Sequence, residues 1–434
     1  MRSLQAGSIA LRQIYNALWY PALPFALLAA GGRDSAIRRD RLGRGEPGPR
    51  DFSARRVWVH AASVGEIEAV RPVLRRLGGN SGGASGSLEI IVTTMTLAGR
   101  AAGQRRLAGL AACQLAPLDF AAGVRAFLAR VRPHLILIAE TELWPNFFHE
   151  GVRAGARVAL INGRLSARSL GRYRLVRGLI GQALAQAERI LVQTAVDAER
   201  FRALGAPADR VFVTGNTKFD LDDTLPALRP ALARFAVDRP ILVAGSTAAG
   251  EERIVLAAYR RLLQHCPALA LALAPRHLER VPAVARELRD TAFDYVQASS
   301  LERTDVPPRA TSILLLDTMG ELRAFYQRAA IAFVGGSMAP PRGGQSLAEP
   351  ASAAVPVLFG PHYENQQELG DALIAAGGGA VVCDEASLAA SCARWLGDDA
   401  ARRRAGARAR GVMELLANGA ANTVRHLQPL LERA

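Results

Sequence analysis

IAFVGGSMAPPRGGQSLAEPASAAVPVLFGPHYENQQE, residues 331–368, is the stretch on which the fold turns. The apolar run IAFV leads into Gly335-Gly336-Ser337. A second pair, Gly343-Gly344, opens a helix-like run carrying Glu349-Pro350, and a further strand, VPVLFG, ends in Gly360-Pro361. Glycines at a strand end let backbone N–H groups approach an anion closely, and a following helix N-terminus adds its positive dipole end. A carboxylate one turn into that helix can accept two hydrogen bonds from a ribose diol. Together these features place a nucleotide-sugar site at the carboxyl edge of a parallel sheet. Glycine pairs also mark plain tight turns, and the rest of the chain separates the two possibilities.

Outward from this stretch, short apolar runs alternate with amphipathic segments. VWVHAA, EIIVTTMT, HLILIAE, RVALINGRL, RILVQTA and RVFVTG form one series; PILVAGS, LALALAPR, SILLLD, AIAFVGG, VPVLFG and AVVC form a second. Such alternation predicts βα units and hence parallel sheets covered by helices. A chain of 434 residues holds two domains of roughly 200 residues, each with its own core. The expected fold class is α/β: two doubly wound, Rossmann-like domains facing a cleft, the GT-B architecture, with an N-terminal membrane-associating helix. The expected boundaries are a membrane anchor or interfacial helix at 1–32, a first α/β domain at 33–217, a linker at 218–238, a second α/β domain at 239–410, and a C-terminal helix at 411–434 that packs back on the first domain. Residues 78–87, GGNSGGASGS, read as a flexible surface insertion.

The net charge is +15, and a single lysine stands among 54 basic residues. That charge calls for an anionic partner such as a phospholipid surface or a phosphorylated substrate. Nucleic-acid binding usually brings a recognisable module or stacking aromatics; neither is evident, and no nucleic-acid partner is expected. Cys113, Cys266, Cys383 and Cys392 lie far apart without a CxxC pair, which argues against a zinc site and a disulfide framework and for a reducing compartment. No metal and no cofactor are expected. The run QIYNALWYPALPFALLAAG (13–31) is apolar with Tyr15, Trp19 and Tyr20, aromatics favoured at headgroup depth. Gln13, Asn16, Pro21 and Pro24 interrupt it, and eight arginines follow between Arg33 and Arg56. It fits a monotopic anchor against anionic lipid better than a full span, with the globular body on the cytoplasmic side.

Residues able to do chemistry cluster at strand ends. In HAASVGEIEA, Glu66 falls in the first turn of a helix, where the dipole favours its ionised form; position alone fits both a base in a cleft and an ordinary helix-start glutamate. Glu140 and Glu142 follow HLILIA directly, and carboxylates there need partners: a cation, a sugar hydroxyl or loop amides. Lys218, the sole lysine, suits one phosphate or carboxylate oxygen as a compact charge; a pair with Asp220 is the plainer alternative. The run DLDD (220–223) reads as solvated charge. In the second half, Ser246, Pro275-Arg276, and Met319-Gly320-Glu321 each follow a strand, and they converge with the glycine loop on one face.

HAASVGE, TTMT, ETELWPN, INGRLS, GNTKFD, APRH, MGEL and GG…EP…GPH, in this order, resemble the bacterial 3-deoxy-D-manno-octulosonic acid (Kdo) transferases, inner-membrane glycosyltransferases of lipid A assembly. The likeness runs from the N-terminus to about Asp371. It implies a GT-B fold, CMP-Kdo as donor, the tetraacylated lipid A precursor as acceptor, and residence at the cytoplasmic face of the inner membrane on an anionic lipid surface. It further implies Glu66 as general base, Glu140 and Lys218 in transition-state stabilisation, and Pro275, Arg276, Met319, Gly320, Glu321 and the segment Ser346, Leu347, Ala348 and Glu349 at the CMP site. The expected reaction is an inverting, metal-independent transfer; the alternative is another GT-B enzyme acting on a UDP-sugar.

Where the family reads GGHNPLEP, this chain reads Gly343-Gly344-Gln345-Ser346-Leu347-Ala348-Glu349-Pro350. Gln345 and Ser346 still donate hydrogen bonds, but a histidine and a proline are gone. The expected consequence is a weaker grip on the donor. Restoring the usual string should tighten CMP-Kdo binding measured by calorimetry, and no gain would sink this expectation.

Overall fold

The structure is a computed structural model describing residues 2–31, 34–45, 54–79, 87–220, 227–237, 239–301 and 313–432. Most of the insertion expected at 78–87 and part of the connection at 218–238 lie outside these residues. The chain divides into two compact units: residues 1–220 with 416–434, and residues 221–415.

The first unit is built on a seven-stranded parallel sheet of order β3-β2-β1-β4-β5-β6-β7. Its strands are β1 (Arg55–His60), β2 (Leu88–Thr94), β3 (Ala112–Leu115), β4 (Leu135–Ala139), β5 (Arg157–Gly163), β6 (Arg189–Val192) and β7 (Val211–Val213). Val57 and Val59 of β1 face one buried layer while Trp58 faces the other, the period of two that a sheet covered on both faces demands. Order reverses between β1 and β4, so the loops after these two strands part and leave a crevice at their carboxyl ends.

The second unit repeats this plan with order β10-β11-β9-β8-β12-β13-β14. The strands are β8 (Ile241–Thr247), β9 (Ala270–Pro275), β10 (Tyr295–Gln297), β11 (Ile313–Leu315), β12 (Ile331–Val334), β13 (Val357–Phe359) and β14 (Gly379–Val381). Leu242 and Ala244 point into one layer, Ile241 and Val243 into the other. The reversal falls between β8 and β12, so the glycine loop that follows β12 sits at a switch point. The doubly wound α/β fold expected from the sequence is present in both units. β3 and β10 were not foreseen; ACQL and YVQ are short and mix polar with apolar residues.

Within the stretch 218–238, the 3-10 turn Thr217–Phe219 belongs to the first unit, and the helix Pro230–Phe235 buries Ala231, Leu232 and Phe235 in the core of the second. Asp220 is not solvated charge. It is buried and accepts from Asn418 N at 3.2 Å and Ala420 N at 2.9 Å, capping the last helix, Gly419–Glu432, at its positive end. The preceding helix, Asp399–Leu416, continues unbroken through 411, and the chain enters the first unit at Leu416. The last helix places Ala420, Val424, Leu427 and Leu430 in the core layer with Val70 and Val73.

The N-terminal helix Arg2–Ala29 contains Pro21 and Pro24, and no described helix is long and apolar enough to cross a membrane. It is tied to the first unit by polar contacts: Tyr15 Oη donates to Asp119 Oδ2 at 2.8 Å, and Asn146 Nδ2 to Asn16 Oδ1 at 2.8 Å. Leu11, Ile14, Leu18, Tyr20, Phe25 and Leu28 remain exposed.

Because Leu427 is fully buried in that layer, Leu427→Ala should destabilise the first unit by about 3 kcal/mol. Chemical denaturation should show this as a lower midpoint of one transition.

Candidate active site

In the first unit, three carboxylates meet where the sheet order reverses. The chain leaves β1 through Ala61-Ala62-Ser63 and enters the helix Val64–Gly79, whose first turn carries Glu66. Its carboxylate folds back over that turn: Oε2 accepts from Ala62 N at 2.8 Å and Oε1 from Ser63 Oγ at 3.0 Å. The helix dipole alone would keep Glu66 ionised at low pH, as the sequence led one to expect. The structure corrects this. Burial and then the neighbouring charge of Glu142 outweigh the Ala62 amide, with Glu140 adding to the rise, and push the carboxyl from 4.5 to about 7.

Glu140 and Glu142 follow β4. Glu140 adopts a left-handed backbone, φ +51°, at a cost of about 1–2 kcal/mol for a residue with a Cβ. That turn directs its carboxylate to Lys218 Nζ at 2.7 Å. The sole lysine therefore pairs with Glu140, not with Asp220. The ammonium stands on the 3-10 turn Thr217–Phe219, and Asn162 at the end of β5 holds this turn. Asn162 is fully buried, is itself left-handed (φ +51°), and accepts from Thr217 N at 3.0 Å through Oδ1. Its backbone carbonyl is held by Gln193 Nε2 at 3.1 Å. Nothing in the sequence reading singled out Asn162; an amide side chain at the end of the apolar strand RVALI was the available signal.

In the second unit the glycine loop departs from expectation. The amides of Gly336, Ser337 and Met338 converge on the buried carboxylate of Glu251 at 2.8, 2.9 and 2.9 Å, and Ala248 N joins them at 2.7 Å. The anion held by Gly335-Gly336-Ser337 is thus an internal side chain, and these amides are not open to a phosphate. Gly335 allows this approach, since a Cβ there would lie 2.5 Å from Glu251 Oε2. Glu251 was missed; the pair Glu251-Glu252 at the start of a helix was its signal. Glu252, fully buried, holds Arg280 through two contacts at 2.7 and 2.9 Å and accepts from Thr247 Oγ1 at 2.8 Å.

The remaining candidates surround this loop. Ser246, at the end of β8, is left-handed with φ +55°. Pro275 closes β9, and Arg276 Nε donates to Gln345 Oε1 at 2.8 Å, so one residue of the altered string already engages the arginine. Met319 is exposed and Gly320 has φ +89°. Glu321 is not free for a ligand: Arg229 Nε holds it at 2.7 Å and Thr318 Oγ1 also contacts it. The helix after Gly343-Gly344 begins only at Ala348 and spans Ala348–Ser352, putting Glu349 in its first turn with Ser346 and Leu347 just ahead. Among the described residues no cluster of three or more His, Cys, Asp or Glu could hold a metal.

Glu66 gives a stability signature. Its proton is held more tightly in the folded chain than at the ordinary value of 4.5, so stability falls as pH rises from 4.5 to about 7 and the buried group must ionise. Glu66→Gln should therefore melt higher than wild type at pH 8 and lose that advantage at pH 4, by paired thermal scans.

Comparison with known proteins converges on one family. The family model described as 3-deoxy-D-manno-octulosonic-acid transferase matches residues 37–221. The 3-deoxy-D-manno-octulosonic acid transferase of Haemophilus influenzae is 35% identical over 316 residues, 72% of each chain. That of Bordetella pertussis is 35% identical over 386 residues, 87% of each chain. Among solved structures, a putative UDP-N-acetylglucosamine 2-epimerase from Listeria monocytogenes shares the fold, with a TM-score of 0.55 at 14% identity over 88% of this chain and 98% of its own. Identity of 35% over most of both sequences means that this chain belongs to the 3-deoxy-D-manno-octulosonic acid transferase family of glycosyltransferases.

Proposed function

We propose that the chain transfers Kdo from CMP-Kdo to a hydroxyl of the tetraacylated lipid A precursor, with inversion and without a metal, at the cytoplasmic face of the inner membrane. The observation that carries this is Glu66: a carboxylate at the switch point of the first sheet, held by two hydrogen bonds and raised to about 7. A general base works best when its pKa lies near the operating pH. Glu66 takes the proton of the acceptor hydroxyl as its oxygen bonds the ketosidic carbon of Kdo; the bond from that carbon to the CMP phosphate oxygen breaks, and CMP leaves with the electron pair. An oxocarbenium-like centre at the ketosidic carbon is stabilised by nearby carboxylate charge and the departing phosphate by a fixed cation. Glu140 and Lys218 are assigned these roles as a pair.

CMP is assigned to Ser246, Pro275, Arg276, Met319, Gly320, Glu321 and the segment Ser346 to Glu349. With the Gly336 to Met338 amides committed to Glu251, Arg276 and the turn before Ala348 are left as the phosphate-facing groups. Glu321 contributes by fixing Arg229 and the turn around Gly320, not through an open carboxylate. The exposed apolar residues of Arg2–Ala29 and the arginines after it support an anionic membrane surface as partner.

The test is transfer from CMP-Kdo, generated in situ, to the lipid A precursor. Wild type should be active with excess chelator present, and Glu66→Ala should lose about 10²–10⁴-fold in rate with CMP binding retained. Lys218→Arg should also lose activity, since a planar fork is not equivalent to a compact ammonium at 2.7 Å from Glu140. A folded wild type that binds no CMP and turns over a UDP-sugar would replace this proposal with the UDP-sugar alternative.

A further inference from the structure

Glu142 lies two residues beyond Glu140, yet it is directed to β1 and not to Lys218. His60, the last residue of β1 and fully buried, places Nε2 3.6 Å from Glu142 Oε2. Trp144 Nε1 donates to the same oxygen at 2.6 Å. On the other side of the ring, His60 Nδ1 lies 3.0 Å from Thr93 Oγ1, which accepts from Trp58 Nε1 at 2.8 Å. An indole N–H only donates, so Thr93 Oγ1 accepts from Trp58 and keeps a proton it can give to His60 Nδ1, which leaves Nε2 as the ring nitrogen turned to Glu142. Nε2 has no hydrogen-bond partner among the described residues, and the nearest acceptor atom given for it is Glu142 Oε2, an electrostatic neighbour at 3.6 Å. The edge of His60 also packs against Phe147, ring centroids 5.0 Å apart, which fixes the ring plane.

We propose that His60 and Glu142 form a positioning pair that keeps a second negative charge beside Glu66 and sets the pH range in which Glu66 works as a base. This rests on the general-base assignment made above. Burial opposes ionisation of Glu142, but His60 and Trp144 outweigh it and hold the carboxyl below its usual range. Glu142 in turn is the neighbouring charge that raises Glu66 most. Among the described residues, several other titratable or charged groups of the first unit are engaged elsewhere. Glu140 is taken by Lys218 from the 3-10 turn. On the helix of Glu66 itself, Glu68 binds Arg71 and Arg106; from the helix Leu97–Arg106, Arg100 faces Asp40. From the last helix, His426 lies on Phe212. Tyr173, the remaining titratable group near Glu142, donates to Thr141 O at 3.1 Å.

The experiment is the pH profile of kcat/KM of the full chain, with CMP-Kdo supplied by excess synthetase and the lipid acceptor in detergent micelles. Glu142→Gln keeps shape and removes charge, so the acid limb should move down by about one pH unit. His60→Phe, which removes the polar ring facing the carboxylate at 3.6 Å, should move the limb the same way, while His60→Gln, which keeps a polar group there, should hold it near wild type. An unmoved limb in Glu142→Gln overturns the proposal. Should that variant not fold, identical limbs in His60→Phe and His60→Gln overturn it equally. Full activity in Glu66→Gln would overturn the general-base assignment and this proposal with it, an outcome distinct from an unmoved limb in an enzyme that needs Glu66.

Discussion

Three carboxylates crowd one switch point, and one ammonium is set against them. Like charges in a half-buried site cannot all ionise without compensation, and the first unit divides the burden among Glu66, Glu140 and Glu142. Glu140 takes the cation, at 2.7 Å. Glu142 takes the Trp144 indole N–H at 2.6 Å and faces the His60 ring at 3.6 Å. Glu66 is left with one amide and one hydroxyl, too little to offset its burial, and holds its proton up to about pH 7. The three side chains differ in electrostatic surroundings because their partners differ. A chain whose other Lys/Arg positions are all arginine has its sole lysine here, a compact charge on one carboxylate oxygen.

The second unit solves a different problem with an anion of its own. A loop leaving β12 through two glycines exposes several amides in a row, which would be costly to bury unmet. Glu251 meets those of Gly336, Ser337 and Met338 and that of Ala248, so the shape of the loop is fixed from within the chain. Each such charge-assisted bond contributes about 1.5–3 kcal/mol. Preorganisation of this kind lowers the ordering cost of binding. It also leaves Arg276, Gln345 and the turn ahead of Ala348 as the groups on which the proposed donor site would depend, where the sequence departs from GGHNPLEP.

The doubly wound fold was legible because a strand buried on both faces must be continuously apolar, and VWVH, LILIA, RVALI, ILVAG and IAFV are. β3 and β10 escaped because edge strands bury less and carry no such run. Sequence position singled out Glu66 and Glu140 at strand ends, and Lys218 as the sole lysine. It could not tell who pairs with whom, because Lys218 and Glu140 are 78 residues apart while Asp220 is a near neighbour. Distance along the chain likewise hid the ties from Glu251 to residues 336–338 and from Arg229 to Glu321. The same limit explains the reversal at Glu66. The dipole is a local property and can be read from sequence; the burial and the charge of Glu142 that overcome it come from another strand.

The N-terminal helix follows from the same division between apolar and polar contacts. Its apolar residues from Leu11 to Leu28 are largely left uncovered, so apolar packing is not what fixes its direction. Directional polar bonds do that. Tyr15 and the amides of Asn146 and Phe147 share Asp119, and Asn16 meets the Asn146 side chain. Asp119 is fully buried, which raises its carboxyl to about 7, and Tyr15 Oη donates to it whether or not it is charged. Asn146 and Phe147 open the helix Pro145–Arg153 directly after Trp144, the residue that grips Glu142. The proposed lipid-facing helix and the carboxylate loop are therefore held by one short polar network, and seating that helix in an interface would fix the height of the loop above it.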